Sequence, residues 1–255
     1  MKSPQLRAED KLFTAKTEDM FERCERYCCP VYSSFLDERQ CAEAELICKT
    51  HGSLRHFLWG GHDNAARKIL CVYEDFSEDC FMAQFPMKCL TFTFRKEDSL
   101  SHRDFLGSFM ALRLKREVIG DIIIGEGTAQ CFVTEVAAKL IMSELSKIGR
   151  VGVKITDSLP FSMSVEQEFE DTGSTVASLR LDCIVSAAAK VSRENAAKLI
   201  RSEKVSVNHL PVCSVSEELR QGDIITVRGC GKFILNNING TTKKGRIHII
   251  LRKYK

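Results

Sequence analysis

The sequence of 255 residues predicts an α+β protein of several domains, on three observations. Segments with helical periodicity alternate with segments of strand-like alternation along the chain. The length is long for one small domain and sufficient for two or three. Charged residues are distributed unevenly along the chain. Residues 178–255 hold 15 Lys and Arg against 6 Asp and Glu, whereas the preceding 177 residues hold 22 Lys and Arg against 28 Asp and Glu. We therefore predict a mildly acidic body followed by a basic C-terminal domain.

The first predicted part covers residues 1–85 and is a helical or α+β region. Residues 17–29 and 36–50 have the periodicity of helices with one apolar face. A short apolar stretch at 54–59 follows, and the run of residues 68–73 is predicted as a strand.

The middle part, residues 86–157, has the element order β-α-β-β-α-β. Its predicted elements are strands 88–94, 121–124, 130–133 and 150–155, and helices 101–114 and 134–148. Ferredoxin-like domains and RNA recognition motifs have this order, so we predict a ferredoxin-like (RRM-like) domain. Many metabolic proteins share the topology, which proves no function, and Phe132 is the one aromatic candidate for base stacking on the middle strands. Residues 158–177 are predicted as a linker with room for one edge strand.

The twelve cysteines are scattered over more than 200 residues, which favours reduced thiols over a disulfide framework. Cys24 and Cys28 have the spacing of a zinc pair, but no second pair follows, so we interpret Cys24, Cys28 and Cys29 as buried helix residues. No apolar run approaches the roughly 20 residues of a membrane span, and the first ten residues lack a secretory signal. We expect a cytoplasmic monomer with no metal, no cofactor, no small-molecule substrate and no membrane partner.

The last part, residues 178–255, opens with two short predicted helices, 182–189 and 193–202. Asp182 lies at the start of the first helix, where a carboxylate can accept hydrogen bonds from free backbone N–H groups. Ser192 is placed to cap the second helix. A small sheet completes this domain, with predicted strands 205–208, 224–228, 232–236 and 247–253.

The second helix carries cations on an arc beside its apolar face. Arg193, Lys198 and Arg201 lie on this arc, Lys204 follows the helix, and residues 243–246 add a basic run. Long cations held by a buried helix suit the phosphates and 2′-hydroxyls of folded RNA. A solvated basic face without a partner has a similar composition, but the local charge and the one-sided placement favour a polyanion.

The segments "RLD", "VSRENAAKLIRSEKVSVN" and "LRQGDIITVRG" resemble the S-four domain, an RNA-binding module, over roughly the last 78 residues. Both helices, the Val-x-Val-Asn strand and the Gly-Asp turn occur in order. Glu203 and His209 stand where the common pattern has glycine, and the acid weakens the positive field beside Lys204. Pattern and resemblance together predict RNA contacts by Arg180, Ser192, Arg193, Lys198, Arg201, Lys204, Asn208, Lys243 and Lys244.

Two further segments, "FLWGGHDNAARKILCVY" and "SHRDFLGSFMALRLKREVIGDIII", resemble the YlmH family of bacterial S-four proteins. The resemblance implies a helical N-terminal part and an RRM-like domain before the S-four domain. It also implies a ribosome-associated protein that binds rRNA and/or tRNA on the large subunit and handles stalled translation complexes. The preserved positions of the family correspond to Gly60, Gly61, His102, Leu106, Gly107, Arg116, Gly120 and Asp121. We interpret most of them as structural and predict an RNA contact for Arg116.

The tripeptide Arg180-Leu181-Asp182 also allows a catalytic reading, because such an aspartate can be the catalytic residue of a pseudouridine synthase. That chemistry needs a deep cleft in a large catalytic domain, and only about 73 residues follow Asp182. We therefore predict a protein that is not an enzyme. An RNA-modifying enzyme with its site in the middle domain and a cell-division-linked interaction protein remain the alternatives.

Overall fold

The computed structural model describes residues 8–52, 54–74, 85–157, 160–163, 168–242 and 245–254, without the side chains of residues 8 and 9. Its helices and antiparallel sheets confirm the predicted α+β class. The chain divides into two compact units, which we call the N-terminal unit (residues 1–165) and the C-terminal unit (residues 166–255). The predicted boundary between residues 85 and 86 therefore lies inside one unit.

The N-terminal unit begins with two helices on a three-stranded sheet. These elements are α1 (Ala8–Tyr27), β1 (Val31–Leu36), α2 (Glu38–Cys48), β2 (Arg55–Trp59) and β3 (Lys68–Tyr73). The strand order in the sheet is β1-β3-β2. Asp37 starts α2 through a capping box with Gln40. The predicted strand at 68–73 is confirmed, and the apolar stretch at 54–59 is also a strand, paired with β3 from Arg55 to Trp59.

The second sheet of the N-terminal unit and its helices have the predicted succession of elements. These are β4 (Met87–Thr93), α3 (His102–Ala111), β5 (Ile119–Ile124), β6 (Thr128–Thr134), α4 (Glu135–Glu144) and β9 (Lys154–Thr156). The strand order in this sheet is β5-β6-β4-β9. Phe105, Phe109 and Ile141 on the helices pack against Leu90 and Phe92 of the sheet. Helix α4 ends earlier than predicted, because residues 147–152 form a small hairpin of β7 (Lys147–Ile148) and β8 (Val151–Gly152).

The other face of the second sheet is covered by the N-terminal region. Phe132 of β6 is only 3% exposed and packs with Phe35, and its ring stacks on His62 with centroids 5.6 Å apart. Gly61, at φ +96°, leaves no room for a side chain, because a Cβ atom there would lie 2.1 Å from the Phe132 ring. Phe132, the one aromatic candidate for base stacking on the middle strands, therefore has its ring buried inside the protein, where it cannot stack on a base.

Asp121 joins the two sheets of the N-terminal unit. Its carboxylate accepts hydrogen bonds from the backbone N–H groups of Ala66 (2.7 Å) and Arg67 (3.1 Å) and contacts His62 Nε2 at 3.2 Å. Asp121 is therefore a structural residue, in agreement with the interpretation of most preserved positions of the family. His102, another of these positions, is exposed at the start of α3.

The C-terminal unit consists of two helices on one face of a six-stranded sheet. Its elements are β10 (Phe169–Val176), α5 (Leu181–Ala189), α6 (Arg193–Arg201), β11 (Val205–Val207), β12 (Leu210–Pro211), β13 (Ile224–Val227), β14 (Gly231–Thr241) and β15 (Ile247–Tyr254). The strand order in the sheet is β10-β15-β14-β13-β11-β12. Leu181, Ile184 and Ile200 of the helices are buried against Ile225 and Leu235 of the sheet.

Strand β10 corrects the predicted linker at 158–177. It pairs with β15 without interruption from Phe169–Tyr254 to Val176–Ile247 and therefore belongs to the C-terminal sheet. The edge strand that the sequence allowed is thus eight residues long.

The cysteines of the described ranges are free thiols, and they differ in burial. Burial raises the pKa of the Cys24 thiol to about 11, with a further contribution from Glu74. Cys28 and Cys29 are exposed, which corrects their interpretation as buried helix residues, because α1 ends at Tyr27. Within the same ranges no group of three His, Cys, Asp or Glu side chains is arranged to hold a metal ion. No helix there has the length and apolar character needed to span a bilayer.

Candidate RNA interface

Asp182 forms ion pairs with two arginines at the start of α5. Its Oδ2 accepts a hydrogen bond from Arg193 Nη2 at 2.6 Å, and its Oδ1 accepts one from Arg180 Nε at 3.2 Å. The carboxylate side chain is 9% exposed, whereas those of Arg180 and Arg193 are 39% and 57% exposed. Asp182 therefore holds two half-exposed guanidinium groups at the surface from a buried position.

The carboxylate of Asp182 is free to bind the arginines because backbone carbonyl oxygens accept the hydrogen bonds of the first N–H groups of α5. The N–H groups of Leu181 and Asp182 donate to the carbonyl oxygens of Glu217 and Val215, at 2.7 and 3.2 Å. Helix α5 consequently has no side-chain cap. The prediction that Asp182 accepts backbone N–H groups is wrong, because a loop from later in the chain supplies the carbonyl acceptors.

The charge of Asp182 is stabilised by its partners. Burial by itself would raise the pKa of this carboxyl group, but the hydrogen bonds and positive charges of Arg193 and Arg180 outweigh it and bring the pKa below its ordinary value. The bond to Asp182 likewise raises the pKa of Arg193. The ion pair is therefore fully charged at neutral pH.

Helix α6 begins as the sequence predicts. The Ser192 hydroxyl accepts a hydrogen bond from the backbone N–H of Asn195 at 3.2 Å, so its oxygen caps the helix. Ala196 and Ile200 are buried, and the predicted cations lie on the exposed side of the helix. Lys198 pairs with Glu194 one turn earlier at 2.8 Å, where both side chains are largely exposed.

Two of the predicted cations on this surface are fully available. Arg201, in the last turn of α6, and Lys204 are exposed, and neither has a carboxylate within 4.0 Å in the part of the chain that the structure describes. The exposed cations Arg193, Lys198, Arg201 and Lys204 form a surface that we call the α6 basic face.

The two positions that depart from the S-four pattern have a left-handed backbone. Glu203 has φ +55° and His209 has φ +69°. Glycine adopts this conformation at no steric cost, which explains physically why the pattern has glycine there. Glu203 also places a negative charge next to Lys204 on the α6 basic face.

Three further residues predicted to contact RNA, Asn208, Lys243 and Lys244, are not part of the α6 basic face. The Asn208 side chain closes a turn, because its Nδ2 donates to Asp223 Oδ1 and its Oδ1 accepts from the backbone N–H of Ile224, both at 2.9 Å. Lys243 and Lys244 lie outside the described residues.

Arg116 belongs to the N-terminal unit and is not part of the α6 basic face. It is half-buried, and its Nη1 donates to the carbonyl oxygens of Ile119 (3.0 Å) and Gly120 (3.2 Å). A second arginine, Arg67, lies beside it and donates to the Arg116 carbonyl oxygen at 3.1 Å. The sequence analysis missed Arg67, which no local motif distinguishes, since its hydrogen-bond partners come from residues up to 54 positions away.

The fold and the α6 basic face define the class: an α+β protein of two units whose C-terminal unit presents cations on a helix pair. The chain is 30% identical over 206 residues to "Ribosome-associated protein quality control protein P2" from Bacillus subtilis (strain 168), over 77% of each protein. A family model described as "Putative RNA-binding domain in YlmH" matches residues 73–161. The chain belongs to the YlmH family.

A solved structure agrees with this assignment at the level of the fold. It is titled "Cell division protein ylmH from Streptococcus pneumoniae" and matches with a TM-score of 0.51 at 22% identity. The match covers 62% of this chain and 96% of the solved chain.

Proposed function

We propose that this chain is a non-catalytic RNA-binding protein of the ribosome, with an S-four domain as its C-terminal unit. The RNA is structured rRNA or tRNA on the large subunit, and the role is the handling of stalled translation complexes in the cytoplasm. The relative from Bacillus subtilis, which is named for ribosome-associated quality control, supports this role. We further propose that the middle domain is RRM-like and that the protein acts as a monomer.

One observation carries the RNA-binding part of the proposal. The buried Asp182 carboxylate holds Arg193 and Arg180 in place, and the exposed Lys198, Arg201 and Lys204 extend the same positive surface. Cations positioned in advance lose less side-chain entropy when they contact phosphate oxygens. The proposed contacts to the RNA backbone come from this surface, together with Lys243 and Lys244.

The same geometry favours a non-catalytic role over pseudouridine synthesis. A catalytic aspartate has to reach the base, but the Asp182 carboxylate is 9% exposed and both of its oxygens accept bonds from arginines. We propose that Asp182 positions these arginines and performs no chemistry. The contacts described above give no support to a division-linked interaction role.

The test uses the full-length chain on ribosomes and RNA from its own cells. We expect the protein to pellet with large subunits, and Arg201→Ala to weaken RNA binding and lower the salt slope by about one, as expected for one lost phosphate contact. Glu194→Gln is the contrasting variant, because it removes a negative charge from the same helix and keeps every cation, so it should not weaken binding. A modified nucleoside that forms with the wild type and not with Asp182→Asn would contradict the non-catalytic role.

A further inference from the structure

The N-terminal unit contains a cavity of about 520 Å³ between α1, β1 and the short 3-10 turn Arg116–Val118. Cavities of this volume hold small ligands in other proteins. Cations outnumber acids among the charged residues that line it, which are Lys16, Arg23, Arg67, Lys115 and Arg116 against Asp19, Asp37 and Glu117.

The acids of the cavity are already engaged. Asp19 pairs with Arg23 at 3.7 Å and Glu117 with Lys115 at 3.8 Å. Asp37 caps α2 and accepts the N–H of Gln40 at 2.8 Å. Three lining cations have no carboxylate within 4.0 Å in the described ranges, namely Lys16, Arg67 and Arg116.

Backbone carbonyls fix the two guanidinium groups in place. Arg67 Nε donates to Ile119 O at 2.8 Å, and its Nη2 donates to the carbonyl oxygens of Phe35 and Arg116, both at 3.1 Å. Arg116 Nη1 donates to the carbonyl oxygens of Ile119 and Gly120. Carbonyl oxygens satisfy donors but do not neutralise a charge. The charges of Arg67 and Arg116 are therefore offset at longer range, by Asp37 and Asp121 for Arg67 and by Asp121 for Arg116.

Each guanidinium group also keeps donors for a ligand. Arg67 Nη1 and Arg116 Nε and Nη2 have no acceptor among the described residues. No buried side-chain nitrogen of those residues lacks a partner, so these three atoms are accessible to solvent. Burial lowers the pKa of both arginines, and the charge of Arg67 lowers that of Arg116 further. The charge of Asp121 partly offsets the lowering of both pKa values, but their net direction stays downward. An anion in the cavity would relieve this repulsion.

We propose that this cavity binds a nucleotide through its phosphate, with Arg67 and Arg116 donating to the phosphate oxygens. Planar guanidinium groups with paired donors match phosphate geometry. Lys16 adds a positive charge from α1, and the rings of Phe13 and Tyr32 line the same cavity for the nucleoside. The ligand is either a free mononucleotide or the 5′-terminal nucleotide of an RNA, which present the same chemistry. None of the residues that line this cavity belongs to the α6 basic face.

The experiment titrates the full-length protein with four probes in a calorimeter. The probes are adenosine 5′-monophosphate, adenosine, and a short RNA trinucleotide with and without a 5′-phosphate. We expect binding to require the phosphate, so that adenosine and the unphosphorylated trinucleotide bind weakly. Binding of the mononucleotide identifies a free nucleotide as the ligand, and binding of the phosphorylated trinucleotide alone identifies an RNA end. Binding of neither phosphorylated probe would overturn the proposal.

Three variants test whether the nucleotide binds in the cavity. Arg116→Gln should lower the affinity about tenfold, as expected for one lost charge-assisted contact. Arg103→Gln is the matched control, because it removes an exposed arginine on α3 that does not line the cavity. Arg201→Ala should also leave nucleotide affinity unchanged, which separates this site from the proposed RNA surface. Wild-type affinity in Arg116→Gln would contradict the assignment.

A measurement on the wild-type protein covers the case in which Arg116→Gln does not fold. Saturating nucleotide should protect Lys16 and Lys115 from chemical acetylation, read by mass spectrometry, and leave the exposed Lys139 on α4 equally reactive. Equal labelling of Lys16 with and without nucleotide would reject the site. Lys16→Gln, an exposed position on α1, provides a second variant and should also weaken binding.

Discussion

Asp182 has a structural task that differs from helix capping, and this changes the effect expected of its replacement. Asparagine caps helices about as well as aspartate, so a capping role would make Asp182→Asn mild. In the structure the substitution removes the charge shared by Arg180 and Arg193. We expect the free energy of unfolding to fall by about 1–3 kcal/mol, measured by urea denaturation.

The matched control for this prediction is Glu194→Gln. Glu194 also pairs with a cation, Lys198, but both side chains are largely exposed, so the loss should stay within about 0.5 kcal/mol. An equal loss of unfolding free energy in the two variants would show that the buried ion pairs of Asp182 stabilise the fold no more than the exposed pair of Glu194 does.

Replacement of Glu203 by glycine should change RNA affinity more than stability. Glu203→Gly removes a negative charge beside Lys204 and allows the φ of +55° without steric cost. Relief of backbone strain and the greater freedom of glycine in the unfolded chain act in opposite directions, so stability should change by less than about 1 kcal/mol. RNA affinity should rise, as measured by titration at fixed salt. His209→Gly tests the backbone effect alone, and an equal gain in affinity there would exclude the charge explanation.

At the scale of elements, Asp182 and Arg193 connect α5 to α6, and this contact should depend on pH. The pKa of Asp182 is lowered in the folded protein, so its stabilisation is fully present above the unfolded value of about 3.9 and is lost as the pH falls through the folded value. We expect the difference in unfolding free energy between the wild type and Asp182→Asn to be constant near neutrality and to shrink below about pH 4. A difference that persists in acid would show that packing, not charge, is responsible.

The elements also show how far local sequence predicts this molecule. Ser192 and the buried Ala196 and Ile200 lie within one helix, so periodicity and capping rules predicted α6. The role of Asp182 depends on carbonyl groups of Val215 and Glu217, more than 30 residues later, which local patterns do not reveal. Burial of Phe132 likewise depends on Phe35 and His62 from the N-terminal region.

At the scale of the whole molecule, the chain has two units with separate cores, so the RNA affinity of each unit can be measured on its own fragment. The cut has to precede β10, which begins at Phe169 and pairs along its length with β15. A fragment starting at residue 174 would remove most of this strand and expose the edge of β15. A fragment of residues 166–255 keeps the sheet and its core of buried residues intact.

We expect the 166–255 fragment to retain most of the affinity of the full chain for structured RNA, with a strong salt dependence, because the α6 basic face lies within it. The fragment of residues 1–165 should bind such RNA much more weakly, although it keeps the cavity proposed for a nucleotide phosphate. The measurement is a set of RNA-binding titrations at two or more salt concentrations. Arg193→Ala, Lys198→Ala and Arg201→Ala in the C-terminal fragment should each lower the slope by about one, since each removes one proposed phosphate contact. Retention of most of the affinity by residues 1–165 would place the main RNA surface in the N-terminal unit instead.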